Sequence, residues 1–140
     1  MTIQEAIKTL TNEAGNALTK ALTELDQQGV SYLIAEAGRS LLTQCLYALQ
    51  GRLDDIRQSD LEWACQQAKI RPPDRQKITW TLRSNHISGN AVDIIPLKNG
   101  RPDWNNQDDR IVAAMKSAGF TWGGDWPPPN TDPPHFEIRR

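Results

Sequence analysis

The spacing of apolar residues changes character along this chain, and that change limits the folds open to it. At Ile3, Ile7, Leu10, Ala14, Leu18, Ala21 and Leu25 the steps alternate between three and four, which marks one stripe on a helix. Later runs such as Ile78-Thr79-Trp80-Thr81-Leu82 and Ala91-Val92-Asp93-Ile94-Ile95 are short and rich in β-branched or aromatic residues, as strands are. Helices first and strands later, at hairpin-scale spacing, predict an α+β fold with helices packed on a small antiparallel sheet. At 140 residues a single domain of this kind can bury a core without disulfides.

Local signals place the elements. Thr2 and Glu5 form a capping-box pattern ahead of the first stripe, and Gly15 is a point where that helix can bend or split. Residues 30–35 read as a strand that delivers Arg39. Ser40 then caps a helix running to about Gln50, which buries Leu42, Cys45, Leu46 and Leu49 and stops at Gly51. Ser59-Asp60-Leu61-Glu62 opens another helix, ending near Ala68 before Pro72-Pro73. Two strands flank His86, the second ended by Pro96. A last helix over residues 108–118 turns Ile111, Val112, Ala114 and Met115 inward with Gly119 as its C-terminal cap, and residues 135–138 return as a strand.

Composition excludes several partners. A formal net charge of −1, with Lys and Arg scattered, lacks the electrostatic footprint of a nucleic-acid binder. The start has no basic segment leading into an apolar run, and no uncharged stretch is long enough to span a bilayer, so the reading is a protein made soluble in the cytoplasm with no membrane insertion. Cys45 and Cys65 are too few and too isolated for a disulfide framework or a cysteine metal site, and both read as reduced packing residues.

The chemistry concentrates in two places. His86 and Asp93 lie in the run 84–93, where Gly89 permits a tight path between them. The second of only two histidines, His135, follows Asp132-Pro133-Pro134. Polyproline II geometry over those prolines would let Asp132 and His135 share one face. Two imidazoles and one carboxylate suit a catalytic zinc, which takes three protein ligands and leaves its fourth position to water. Such an ion lowers the pKa of bound water to about 7, and a neighbouring carboxylate, here Asp132, can accept the proton.

These residues fall in motifs that resemble a known family. Ser84-x-His86-x-x-Gly89-x-Ala91-Val92-Asp93, Gly119-Phe120-Thr121-Trp122-Gly123-Gly124-Asp125-Trp126 and Asp132-x-x-His135-Phe136-Glu137, with a weaker upstream match from Gly38-Arg39-Ser40 to Gly51-Arg52, are similar to the zinc D-alanyl-D-alanine carboxypeptidase and dipeptidase superfamily. The closest likeness is to its L-alanyl-D-glutamate endopeptidase branch, found in bacteriophage endolysins. The resemblance implies one Zn2+ held by His86, Asp93 and His135, with Asp132 as general base and Arg39 stabilising the oxyanion. Ser84 and Trp126 would contact substrate. Gly38 stands directly before Arg39 where the family usually has an aromatic residue. It further implies one catalytic domain, with a helical segment over residues 1–28 and a peptidase core over residues 30–138, that cleaves bacterial peptidoglycan stems as a monomer. Holin-dependent release from the host cytoplasm would bring it to the wall.

Two other functions share these residues: a D-alanyl-D-alanine dipeptidase or carboxypeptidase, and a non-catalytic zinc-bearing virion module that grips peptidoglycan. Asp132 weighs against the second, because binding alone needs no base. Trp122 reads as a core residue. Asp125 reads either as a turn residue or as a carboxylate orienting a ligating histidine, and Glu137, alternating with Phe136, either as a solvated strand position or as a side chain pointing toward the site.

Overall fold

The computed structural model of the chain describes residues 1–39, 58–69 and 86–139. Among them the elements run α1 (Ile3–Thr9), α2 (Asn12–Gln27), β1 (Tyr32–Glu36), α3 (Gln58–Gln67), β2 (Ala91–Lys98), β3 (Arg101–Pro102), α4 (Asp109–Ser117), β4 (Thr121–Trp122), a short 3-10 turn (Gly123–Asp125) and β5 (His135–Glu137). The strands form an antiparallel sheet in the order β1-β2-β5-β4, with β3 paired to β2. The α+β expectation is borne out. The helix placed at 40–50, the strand at 78–82 and Cys45 lie outside the described residues.

Side chains alternate across the sheet, and one face is the core. Ile34 of β1, Val92 and Ile94 of β2 and Phe136 of β5 pack against Ala6 of α1, Leu18, Leu22 and Leu25 of α2, and Ile111, Ala114 and Met115 of α4. Val112, expected to face inward, is only partly buried at the edge of this cluster. Asp108 caps α4, its side chain accepting from the Arg110 N–H, and Gly119 ends the helix as expected: it follows Ala118 with a left-handed φ of 111°, and the Gly119 and Phe120 N–H groups donate to the Lys116 and Met115 carbonyls. Cys65 is buried in α3.

The N-terminal stripe is broken, but not at Gly15. Thr2 and Glu5 complete the capping box of α1, which ends at Thr9. Thr11 then starts α2 by accepting from the Ala14 N–H, a cap worth about 1 kcal/mol. The break rotates α1 so that Ala6 is buried while Ile7 becomes exposed. It also serves the rest of the molecule. The Thr9 hydroxyl accepts from the Gly38 N–H at 2.8 Å, the Thr11 N–H donates to the Gly89 carbonyl at 2.9 Å, and the Thr11 hydroxyl donates to Asn90 Oδ1 at 3.0 Å. Gly38 lies so close that a Cβ there would sit 2.1 Å from the Thr9 carbonyl oxygen. A side chain at position 38 has no room, because the α1–α2 linker fills that space.

Two strand details differ from the sequence reading. β2 runs through Pro96 to Lys98. The Pro96 carbonyl accepts from the Asp103 N–H, and the Leu97 N–H donates to the Ser31 carbonyl. The register of β1 shifts between Ile34, opposite Ile94, and Glu36, opposite Asp93. This irregularity turns Glu36, instead of Ala35, toward Asp93.

At the start of β1 the Tyr32 hydroxyl donates to Asp26 Oδ1 at 3.0 Å. Burial first, then the bond and the charge of Asp26, push the phenol up to about 12. A raised acid favours its protonated form in the folded state, so this contribution is complete below the ordinary phenol value of about 10 and is lost as pH rises through about 12. Ultraviolet titration of phenolate should show late ionisation of Tyr32, and Asp26→Asn should bring it back toward 10.

Candidate metal centre

The other face of the sheet carries the polar cluster. Asp93 of β2 stands directly opposite His135 of β5 in the antiparallel register, which puts their Cβ atoms about 5 Å apart. His86 comes from the turn that precedes β2. Its Nδ1–H donates to the Ala37 carbonyl at 2.7 Å, and its own carbonyl accepts from the Arg39 N–H at 2.9 Å. The segment after β1 therefore fixes the ring, and Gly89 takes the left-handed backbone (φ 75°) that closes the turn.

With Nδ1 committed, His86 presents Nε2, which lies 3.4 Å from Asp93 Oδ1. His135 presents Nδ1 at the same 3.4 Å from that oxygen. The two rings meet edge to face with centroids 5.1 Å apart. Donors around a tetrahedral ion with bonds of about 2.0–2.1 Å are separated by about 3.3 Å, close to both distances. Asp93 Oδ1 is buried and makes no hydrogen bond. A buried carboxylate oxygen left in that state is costly, and a cation among the three residues removes the cost. The ligand atoms of His86, Asp93 and His135 all fall within 4.8 Å of one another, so the cluster fits a divalent metal with nitrogen and oxygen donors.

The charges are consistent with this. Burial alone would raise the Asp93 carboxyl, but the imidazoles of His135 and His86 outweigh it and hold the group well below the usual carboxylate range. Burial would lower His135, but Asp93, Glu137 and Asp132 outweigh it and raise the ring above its ordinary value.

Asp132 reaches the same cluster by a different route from the one expected. Residues 132–135 form a turn in which the His135 N–H donates to the Asp132 carbonyl at 3.2 Å, so a hydrogen-bonded turn, not polyproline II, sets the two side by side. The Asp132 N–H donates to the Gly123 carbonyl at 2.9 Å. Its carboxyl is raised, by burial first and then by the negative charge of Asp93. Trp126 packs its ring against His135 with centroids 4.9 Å apart. Trp122 lies against the edge of the core and donates its indole N–H to the Pro133 carbonyl at 2.8 Å.

Arg39 is a buried ion-pair partner. Its Nε donates to Glu36 Oε1 at 2.7 Å and its Nη2 to Glu36 Oε2, a two-pronged hold on the residue that stands opposite Asp93. Sequence reasoning passed over Glu36, whose place depends on the β1 irregularity. Ser84 lies outside the described residues.

The structure places the two acidic residues that the sequence left open. Asp125 is exposed and pairs with Lys116 Nζ at 2.7 Å. Glu137 is buried, only 4% exposed, with Oε2 at 3.2 Å from His135 Nε2. The available signal was the spacing of two from His135, which puts both side chains on one face of a strand.

Comparison with known proteins agrees with the motifs. Residues 77–138 match the family model described as D-alanyl-D-alanine carboxypeptidase. The L-alanyl-D-glutamate peptidase of Listeria phage A118 is 39% identical over 62 residues, which cover 41% of this chain and 22% of that protein. The chain thus spans about a fifth of the length of this curated relative. The crystal structure of the Serratia marcescens L-Ala D-Glu endopeptidase ChiX shares the fold with a TM-score of 0.60 at 22% identity, over 97% of this chain and 85% of that one.

Proposed function

We propose that the protein is a zinc-dependent peptidase that hydrolyses the peptide stems of bacterial peptidoglycan at the L-Ala–D-Glu bond, a reading supported by the match of residues 77–138 to the D-alanyl-D-alanine carboxypeptidase family model. The observation that carries this reading is the convergence of His86, Asp93 and His135 around a carboxylate oxygen with no hydrogen-bond partner. The phage relative's name favours this bond and a role in host lysis. Among the described residues no helix is long and apolar enough to cross a membrane.

His86 Nε2, Asp93 Oδ1 and His135 Nδ1 would hold the ion. When bound, it supplies Lewis acidity toward water and the scissile carbonyl. Asp132 accepts the proton of the attacking water and returns it to the departing amine as the C–N bond breaks. Its raised carboxyl suits the first half of that exchange, since a weaker conjugate acid goes with a stronger base. Arg39, held by Glu36, is the cation assigned to the developing oxyanion. Trp126, against His135, forms an apolar wall for substrate, and the motif resemblance assigns Ser84 to substrate as well.

Mass spectrometry of fragments released from purified peptidoglycan tests the reading. Expected products carry a new N-terminal D-Glu, and chelation of the metal abolishes their release until zinc is restored. Release of terminal D-Ala alone would replace the endopeptidase with a carboxypeptidase, in line with the family description. Turnover that survives complete chelation would remove the metal from the mechanism.

A further inference from the structure

The two histidines of the cluster are oriented by different means. His86 is set by a backbone carbonyl, Ala37 O, which no side-chain substitution removes. His135 faces a side chain: its Nε2 lies 3.2 Å from Glu137 Oε2. A neutral imidazole carries one N–H and one lone pair. A carboxylate at Nε2 requires the N–H there, which leaves the lone pair on Nδ1, the atom facing Asp93 Oδ1 at 3.4 Å.

We infer that Glu137 is a positioning residue that holds the His135 ring in the orientation and tautomer presenting Nδ1 to the metal; the inference rests on the metal-site reading above. Glu137 is itself secured. Its other oxygen, Oε1, accepts from Arg139 Nε at 2.7 Å, and the Arg139 guanidinium lies over the Trp126 ring, 5.7 Å from its centroid. Trp126 in turn packs against His135. Imidazole, carboxylate, guanidinium and indole therefore close a ring of contacts that restrains His135 from the side away from Asp93. Without the Glu137 charge the imidazole gains a second tautomer, with the proton on Nδ1, the atom that faces Asp93. Each such state reduces the fraction of protein ready to bind metal.

The test measures metal directly. Zinc affinity is determined by competition with a chromophoric chelator for the wild type and for Glu137→Gln, which keeps the shape and removes the charge. The ring nitrogens of the only two histidines are followed by long-range 1H–15N spectroscopy. The expected result is a 10- to 100-fold loss of zinc affinity in Glu137→Gln, with His135 bound through Nδ1 and protonated at Nε2 in the zinc-loaded wild type. Unchanged affinity in a folded Glu137→Gln protein would overturn the inference while leaving the metal site standing. Should Glu137→Gln fail to fold, the wild-type spectrum decides alone: His135 coordinated through Nε2 excludes the role assigned to Glu137. A wild type that binds no zinc overturns the metal reading and this inference with it.

Discussion

Asp132→Asn should leave zinc bound and the chain folded while slowing peptidoglycan hydrolysis by at least about 100-fold, the lower range for a positioned proton acceptor. The amide keeps the size of the carboxyl. The turn that sets Asp132 beside His135 is made by main-chain groups, the Asp132 carbonyl and the His135 N–H, which the substitution does not touch. Metal affinity should hold, because Asp132 is not among the three converging ligands. Rate, zinc content and thermal midpoint measured on one preparation separate lost proton transfer from lost metal. Equal rates for the two proteins would take Asp132 out of the reaction.

Gly123→Ala should do more general damage. A Cβ at this position would lie 2.5 Å from the Asp132 carbonyl oxygen, 3.0 Å from His135 Cβ and 3.1 Å from Asp132 Cβ. None of these is the free end of a flexible side chain, so the 3-10 turn and the 132–135 turn must separate. The Asp132 N–H to Gly123 carbonyl bond, 2.9 Å long, would stretch with them. Overpacking of this sort costs about 1–3 kcal/mol, or a Tm lower by roughly 3–12 °C for a domain of this size. Zinc capture and turnover should fall together, since His135 moves with the turn. Gly15→Ala is the control. Its Cβ would meet only Ile7, at an ordinary 3.5 Å, inside α2, where alanine is favoured over glycine by about 1 kcal/mol. A Gly123→Ala protein as stable and as tight for zinc as this control would show that the two turns can slide apart at no cost.

What the sequence disclosed follows from the range of the interactions involved. The period of three to four reveals α2 and α4, because burial on one face dictates it, and a run of β-branched residues reveals β2. Residue chemistry points to His86, Asp93 and His135, since two imidazoles beside acids are rare in so short a chain. The positions of Glu36 and Glu137 depend on pairing between strands far apart in sequence. Glu36 turns toward Asp93 only because β1 slips by one residue, and nothing local announces that slip. Glu137 looks like any charged residue near a chain end until β5 is seen buried on both faces. The two prolines before His135 suggest an extended helix by composition, yet the Asp132 carbonyl captures the His135 N–H and makes a turn. Asp125 was a fair candidate by adjacency to Trp126, and Lys116 draws it outward.

The short link between the first two helices reaches farther than its length suggests. Thr9 grips the strand exit ahead of Arg39, and Thr11 grips the turn behind His86, so one stretch of backbone gauges the gap between the two loops. The opening helices act as a keystone set from upstream: trimming them to obtain a shorter protein would unlatch both loops at once, and a side chain grown at Gly38 would prise the same joint from the opposite side.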